Sequence, residues 1–280
     1  MSNLKISFIG GGNMATALIG GMLRQGMTAA DVSVVEPFEA ARAKLTQAFG
    51  VRCSATPAEA VRVGELTVKT SDLIVMAVKP QSMREAAQAV APHLRTQLVL
   101  SIAAGTRVAD LSRWLGGHAA IVRTMPNTPA LVGMGITGMF AAPAVSTAQR
   151  AAAERVMRAV GDVVWLNDEA LIDPVTAISG SGPAYVFYFL EALAEAGAKL
   201  GLDAEDAKRL ALATFAGAAK LAAESPDDFA TLRTKVTSKG GTTAAALAVM
   251  ADRQVKEAII AAAEAASARG CEIGVDLGKD

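Results

Sequence analysis

The 280-residue chain has few cysteines and few histidines, two of each. Cys53 and Cys271 lie far apart and have no neighbouring histidine, so they are too few for a disulfide framework or a zinc site. His93 and His118 both fall in predicted connections, where a surface position is the simplest interpretation. The sequence therefore predicts no metal site and favours a reducing, cytoplasmic compartment.

An excess of either charge is also absent, because 27 basic residues balance 27 acidic ones. No Lys/Arg cluster provides the positive patch that nucleic acid binding requires. No apolar run reaches the roughly 18 residues of a membrane span, and the N-terminus lacks a basic segment followed by an apolar one. Nucleic acids and membranes are therefore not expected partners.

Aromatic residues make up only 4% of the chain although 52% of it is hydrophobic, and alanine supplies much of that fraction. Three stretches of the C-terminal half predict helices that are apolar nearly all round: Tyr185–Leu200, Ala207–Ala223 and Val255–Ala268. Such helices have to be buried, and a monomer of this size could hardly cover them. We therefore expect homo-oligomerisation through the C-terminal half.

Short β-branched runs alternate with helical periods over residues 1–165, which is typical of a parallel sheet covered by helices. The predicted strands are Leu4–Ile9, Val32–Val35, Leu73–Val78, Leu98–Ile102, Ala120–Arg123, Gly135–Phe140 and Asp162–Trp165. The predicted helices among them are Asn13–Gln25, Phe38–Phe49, Gln81–Ala91, Arg107–Trp114 and Thr147–Val160. The fold class is therefore α/β, with a doubly wound sheet in residues 1–165 and an all-α domain in residues 166–280.

A glycine-rich turn follows the first predicted strand. The run Gly10-Gly11-Gly12-Asn13-Met14-Ala15 matches the pattern G-x-G-x-x-A. The first glycine permits the tight turn, the second lets a pyrophosphate approach the backbone, and the small third residue lets helix and strand pack closely. The turn predicts a Rossmann-type domain that binds a dinucleotide, with cofactor contacts from Gly10, Gly12, Asn13 and Met14.

Glu36 ends the second predicted strand, roughly 20 residues beyond the glycines. A carboxylate at this position accepts hydrogen bonds from the adenosine ribose and repels a 2′-phosphate. The cofactor is therefore expected to be NADH or NADPH, with NADH favoured. The alternative is that Glu36 faces solvent and that Arg42 holds the phosphate of NADPH.

Three further segments end predicted strands at the edge where open α/β sheets bind ligands. The first segment is Val78-Lys79-Pro80, in which Pro80 would open a helix and Lys79 would face the crevice. The alternative is that Lys79 is an ordinary surface lysine. The second segment, Ser101–Gly105, contains small residues that would let a nicotinamide or ribose lie against the backbone. The third segment, Arg123–Pro129, is a loop stiffened by two prolines. Cofactor contacts are expected from Ala77, Val78, Lys79, Pro80, Ala103, Ala104 and Asn127.

A second ligand site is predicted near the C-terminal end, in the run Val236-Thr237-Ser238-Lys239-Gly240-Gly241-Thr242-Thr243. Two adjacent glycines let backbone N–H groups turn toward one point, and the helix that follows adds the positive end of its dipole. The hydroxyls of Ser238, Thr242 and Thr243 surround the same point. This run can hold a small carboxylate; the alternative is an ordinary capped helix.

Five motifs together resemble those of pyrroline-5-carboxylate reductase: Ile9–Ala15, Ala77–Gln81, Met125–Pro129, Ile178–Tyr185 and Val236–Thr243. The resemblance spans nearly the whole chain. It implies the NAD(P)H-dependent reduction of 1-pyrroline-5-carboxylate to L-proline, the last step of proline biosynthesis, by hydride transfer to the C=N carbon. It also implies a homodimer interlocked through the C-terminal domain, often assembled into a ring of dimers, with a substrate site between subunits.

The resemblance further implies roles for the residues of the C-terminal run. Substrate contacts are expected from Val236, Ser238, Gly240, Gly241 and Thr242. The N–H groups of the last three would hold the substrate carboxylate. Thr243 is the expected catalytic residue, because its hydroxyl would donate a hydrogen bond to the imine nitrogen and relay a proton from water.

The chain departs from the family pattern at Lys239, where proline is usual, and at Val61–Thr70, an apparent insertion. The residues alone leave two other functions open. One is a related Rossmann oxidoreductase that acts on another cyclic imine or on a β-hydroxyacid. The other is a nucleotide-sensing protein that catalyses nothing, which a turnover assay would distinguish from both enzymes.

Overall fold

The computed structural model describes residues 4–58 and 70–279. Contacts divide the chain into two compact units. The first unit comprises Met1–Ser181 together with Ala266–Asp280, and the second comprises Gly182–Ala265. The predicted insertion Val61–Thr70 lies outside the described residues except for Thr70.

The first unit is built on an eight-stranded sheet with the strand order β3-β2-β1-β4-β5-β6-β7-β8. Its strands are β1 Ile6–Ile9, β2 Val32–Val35, β3 Arg52–Ser54, β4 Leu73–Met76, β5 Leu98–Ser101, β6 Ile121–Met125, β7 Gly135–Ala141 and β8 Gly161–Trp165. The strand order reverses between β1 and β4. This is the switch point at which open α/β sheets bind their ligands.

Helices cover both faces of this sheet: α1 Asn13–Arg24, α2 Glu39–Phe49, α3 Met83–Val90, α4 Val108–Trp114 and α5 Thr147–Arg158. Successive side chains of a strand point to opposite faces. Phe8 accordingly belongs to a core with Leu18 of α1, whereas Ile9 belongs to a second core with Met83 of α3. The doubly wound α/β architecture predicted from the sequence is confirmed.

Two details of the sheet differ from the prediction. Strand β3 is short, and none of Arg52, Cys53 and Ser54 is fully buried, so it lacks the apolar run by which the other strands were recognised. Strand β7 pairs antiparallel with β6, whereas the sequence pattern is typical of a parallel sheet and predicts no direction for this strand. The connection from Met125 to Gly135 contains only a short 3₁₀ helix, Thr128–Val132, whereas a parallel pair needs a longer crossover.

The first unit continues beyond the last strand. Helix α6, Ile172–Val175, passes into a π-helical turn, Thr176–Gly180. The domain boundary predicted near residue 166 follows the last strand, whereas the compact unit extends to Ser181. The boundary near residue 166 stays a prediction, because the strands end at Trp165 whereas the compact unit ends at Ser181.

The second unit is helical, with α7 Gly182–Lys199, α8 Ala204–Glu224, α9 Phe229–Lys235, α10 Thr242–Asp252 and the beginning of α11 Val255–Gly278. The rings of Phe189 and Phe215 stack between α7 and α8 with their centroids 6.4 Å apart. Many large apolar side chains of this unit stay exposed within the single chain, among them Phe187, Tyr188 and Leu212. Within the described residues, no helix has the length and hydrophobicity to cross a membrane.

Gln254 connects α10 to α11 with a φ of 52°, the one positive φ at a non-glycine residue in residues 4–58 and 70–279. The left-handed region costs a residue with a Cβ roughly 1–2 kcal/mol, and glycine avoids that cost. We expect Gln254→Gly to raise the free energy of unfolding by about 0.5–1 kcal/mol. Urea denaturation at a fixed protomer concentration measures this change.

Arg253 is the matched control, because its φ of −85° is one that any residue adopts. Arg253→Gly should lower the unfolding free energy by about 0.5–1 kcal/mol, since glycine there adds only chain entropy to the unfolded state. Equal destabilisation by both glycine substitutions would show that the backbone at Gln254 carries no strain.

Candidate active site

The β1–α1 turn at the switch point admits no side chain at its first glycine. Gly10 has a φ of 102°, and a Cβ on it would lie 2.6 Å from the carbonyl oxygen of Ala77. A hydrogen bond of 2.7 Å from the Ala77 N–H to the Ile9 carbonyl fixes the two strand ends side by side. Gly10 is therefore required by the packing of β1 against β4.

Gly12 has a different environment from Gly10. It is the N-cap of α1. Among residues 4–58 and 70–279, no side chain caps that helix and no atom lies within 4 Å of a Cβ placed on Gly12. Asn13 and Met14 form the first turn of the helix, so their N–H groups belong to the set that has no intrahelical partner. An open helix N-terminus behind a glycine turn is the arrangement that binds a pyrophosphate, and these residues fit a dinucleotide.

Glu36 is buried beside this turn, with 8% of its surface exposed. One carboxylate oxygen accepts a hydrogen bond of 2.8 Å from the Gly11 N–H, and the other accepts one of 3.0 Å from the Phe38 N–H. A carboxylate has about four acceptor positions, so two remain for a ligand. The structure therefore contradicts a solvent-facing Glu36, whereas the other part of that alternative, a phosphate of NADPH held by Arg42, stays a prediction.

Arg42 contacts the main chain of the same loop. Its Nη1 donates to the backbone carbonyl oxygens of Glu36 and Pro37 at 2.8 and 2.7 Å. The guanidinium is thus tied to the main chain next to Glu36. Phe38 exposes 74% of its surface at this position, a feature that the sequence analysis did not assign to the site.

The ends of β4, β5 and β6 extend the edge that begins at Gly10. After β4, Ala77 and Val78 are half-buried, Lys79 is exposed, and Pro80 opens a 3₁₀ helix, as predicted. After β5, Ala103 is buried and Ala104 half-buried. After β6, the side-chain oxygen of Asn127 accepts a hydrogen bond of 3.0 Å from the Ile136 N–H. Adjacent pairing of these strands brings all the predicted cofactor residues of the sheet to one edge.

A buried ion pair beside this edge was missed by the sequence analysis. Arg123 on β6 is 3% exposed, and its Nη1 lies 2.9 Å from a carboxylate oxygen of Glu169. The signal was present, because an arginine inside the apolar run of a central strand needs an acidic partner. The partner could not be identified from the sequence, since many acidic residues follow β8.

The predicted carboxylate-binding run forms a β-turn between α9 and α10 in the second unit. The Gly241 N–H donates to the Ser238 carbonyl at 3.0 Å, and Gly240 has a φ of 73°. Because Lys239 has no positive φ, the turn is of type II, in which proline commonly occupies the position of Lys239. A lysine at this position, where the resemblance to the family leads us to expect proline, is compatible with this turn type.

The turn does not leave all three predicted N–H donors free. The Gly241 N–H is used within the turn, whereas Thr242 opens α10 with its N–H directed out of the helix start. Gly241 is the N-cap, and no side chain of the described part of the chain caps α10. The hydroxyls of Ser238 and Thr243 therefore do not serve as caps. Because glycine is itself a common N-cap, the alternative of a helix start without a ligand stays open.

Position and exposure differ among the other residues of the run. Val236 directly follows α9 as its C-cap and is 64% exposed. Ser238 and Lys239 are exposed, and Thr243 is half-buried in the first turn of α10. A Cβ on Gly241 would lie within contact distance of the Ser238 hydroxyl, so that hydroxyl lies directly over the glycine backbone. The absence of a side chain at Gly241 allows this approach.

Two family models match the chain. Residues 169–273 match a model described as pyrroline-5-carboxylate reductase dimerisation, and residues 5–105 match one described as NADP oxidoreductase, coenzyme F420-dependent. A pyrroline-5-carboxylate reductase of Pseudomonas aeruginosa is 45% identical over 280 residues, which is all of both chains. One of Haemophilus influenzae is 40% identical over 275 residues, 98% of each chain.

Solved structures show the same relationship. A pyrroline-5-carboxylate reductase of Coxiella burnetii superposes with a TM-score of 0.89 at 37% identity, covering 97% of this chain and 99% of that one. A pyrroline carboxylate reductase of Plasmodium falciparum with NADP bound gives a TM-score of 0.85 at 29% identity, covering 98% and 99%.

The two glycines of the β1–α1 turn generate a paired prediction. Gly12→Ala should leave the midpoint of thermal unfolding nearly unchanged, since its Cβ meets nothing, yet weaken NADH binding about tenfold or more, because the methyl group occupies the phosphate position. Gly10→Ala should instead lower the unfolding free energy by about 1–3 kcal/mol. NADH fluorescence titration and thermal denaturation test the pair. Undiminished NADH binding by Gly12→Ala would exclude this turn as the phosphate site.

Proposed function

Because the chain belongs to the pyrroline-5-carboxylate reductase family, we propose a role for each part of its candidate site in the reduction of 1-pyrroline-5-carboxylate to L-proline. The chain is an NAD(P)H-dependent oxidoreductase of proline biosynthesis. The observation that carries this function is 45% identity to a reductase over the full length of both chains.

The sheet edge of the first unit holds the dinucleotide. Gly10, Gly12, Asn13 and Met14 receive the pyrophosphate at the open start of α1, where backbone N–H groups and the helix dipole favour an anion. The segments after β4, β5 and β6 continue along the cofactor toward its nicotinamide end, with contacts from Ala77, Val78, Lys79, Pro80, Ala103, Ala104 and Asn127. The reduced nicotinamide supplies the hydride.

The type II turn of the second unit holds the substrate carboxylate. The N–H groups of Gly240 and Thr242 and the hydroxyl of Ser238 donate to it, while the N–H of Gly241 maintains the turn. Val236 contributes an apolar contact to the ring. This division differs from the sequence-based expectation only at Gly241, whose role becomes the close approach of the Ser238 hydroxyl rather than donation.

Thr243 is the polar catalytic contact. Its hydroxyl donates a hydrogen bond to the imine nitrogen, orients the ring and relays a proton from water to that nitrogen. A threonine hydroxyl is too weak an acid to protonate the nitrogen unaided. The absence of a side-chain cap on α10 supports this role, because capping does not occupy the hydroxyl.

Glu36 favours NADH over NADPH. Its carboxylate is fixed by two backbone N–H groups and keeps acceptor positions for the ribose hydroxyls. A 2′-phosphate at the same point would meet a buried negative charge. Arg42, tied to the backbone beside it, is a cation that could offset this repulsion.

The chain forms a homodimer through its dimerisation domain, residues 169–273. We infer that dimers assemble further into a ring. Support comes from exposed apolar side chains outside that domain, such as Val132 and Met134, which are 75% and 79% exposed. The unpaired Cys53 and Cys271 support a reducing, cytoplasmic compartment.

The loss of absorbance of NADH, on addition of the purified protein to 1-pyrroline-5-carboxylate, tests the function directly. Thr243→Ala should lower kcat about 100-fold and leave the Kd for NADH unchanged, because the hydroxyl acts on the substrate. Thr242→Ala is the control: it keeps the backbone N–H and should change kcat by no more than about twofold. Equal loss in both variants would count against a special role for Thr243.

Cofactor preference provides a second test. In Glu36→Ser the negative charge is gone and Arg42 can approach a 2′-phosphate, so the ratio of kcat/KM for NADPH to that for NADH should rise about tenfold or more. Glu39, an exposed carboxylate at the start of α2, is the control. Replacement of Glu39 by serine should leave this ratio unchanged. A similar rise of the ratio in both variants would mean that the total charge near the site, rather than the position of Glu36, sets the cofactor preference.

A further inference from the structure

Arg123, Glu169 and Asp173 form a cluster of charges on the α4 face of the sheet, here called the Arg123 cluster. The Arg123 guanidinium lies 2.9 Å from Glu169 and 3.6 Å from Asp173. The arginine side chain is 4% exposed, and the carboxylates are 26% and 18% exposed. A buried pair of this kind is weak evidence for stability, because desolvation offsets the attraction.

Glu169 has a second contact that Asp173 does not share among the described residues. The carboxylate oxygen that faces Arg123 also accepts a hydrogen bond of 2.8 Å from the Val108 N–H. Val108 is the first residue of α4, directly after the connection 102–107 from β5. One oxygen atom thus joins β6 to the far end of that connection.

The β5–α4 connection carries Ala103 and Ala104, which the proposed function places at the nicotinamide end of the cofactor. Its start is fixed by the Thr124 hydroxyl, which donates to the Ser101 carbonyl at 2.9 Å. Near its middle, a Cβ on Gly105 would lie 2.8 Å from Ile273 of α11, so the backbone packs closely there. The bond from Val108 to Glu169 fixes the remaining end.

We propose that Glu169 is a positioning residue that aligns the nicotinamide-binding edge by holding the start of α4 against Arg123 of β6. The proposal rests on the proposed function, because that function assigns the β5–α4 connection to the nicotinamide. Glu169 touches neither the cofactor nor the substrate in this role. It acts on the nicotinamide half alone, since the Gly10 turn and Glu36 lie at other strands of the sheet.

Comparison of two ligands tests the proposal without any turnover. NADH contacts both halves of the site, whereas ADP-ribose lacks the nicotinamide and reports only the adenosine and pyrophosphate half. In Glu169→Ala we expect the Kd for NADH to rise about tenfold, as for the loss of one buried hydrogen bond to a charged group. The Kd for ADP-ribose should stay within about twofold of wild type, because its contacts are left in place.

Three further variants separate positioning from general damage. Glu169→Asp keeps the charge but withdraws the oxygen from Val108, so it should also weaken NADH binding selectively. This variant replaces Glu169→Ala in the test if Glu169→Ala does not fold. Glu169→Gln keeps an acceptor oxygen for Val108 and should restore much of the affinity. Asp173→Asn disturbs Arg123 but not α4 and should leave both Kd values near wild type.

A parallel rise of both Kd values in Glu169→Ala and Glu169→Asp would overturn the proposal, as would an equal effect of Asp173→Asn. Failure of the proposed function would look different. In that case wild-type protein would not oxidise NADH with 1-pyrroline-5-carboxylate, whereas the comparison of NADH with ADP-ribose would still report on Glu169.

Discussion

The approach of the Gly10 backbone to the Ala77 carbonyl is the contact on which the cofactor site depends. It occurs where β1 and β4 lie side by side and the chain turns away to opposite sides of the sheet. Any side chain at Gly10 would separate these strands and shift the start of α1. The open N-terminus of that helix, the buried carboxylate of Glu36 and the segment Ala77–Pro80 are all positioned from this contact.

Much of the fold could be predicted because its signals are local. Continuous apolar runs identify β1, β2, β4 and β5, since strands buried on both faces have no polar alternation. Strand β3 could not be found in this way, because it lies at the edge of the sheet and is only partly buried. The direction of β7 depends on how a nine-residue connection, residues 126–134, folds back, which apolar periodicity does not encode.

The candidate site likewise contains some features that local sequence signals predict and others that they do not. The glycines, Glu36 and the turn before α10 follow from short motifs whose backbone requirements are local. Other contacts of the site could not be predicted. The hydrogen bond from Gly11 to Glu36 and the ion pair between Arg123 and Glu169 join segments that are distant in sequence. The use of the Gly241 N–H within its own turn depends on the hydrogen bonds of that turn. Full-length similarity to the reductases then decides among the enzymes and the sensor that the residues alone leave open.

The hydrogen bonds to Glu36 constrain how cofactor preference can evolve in this protein. The carboxylate that we propose as the ribose ligand also satisfies the N–H groups of Gly11 and Phe38. A lineage that lost this charge in order to accept a phosphate would at the same time leave two backbone donors without acceptors in the free protein. Adaptation to a different nucleotide therefore requires compensating changes in the loop itself, and the first substitution on that path lowers the stability of the unliganded enzyme.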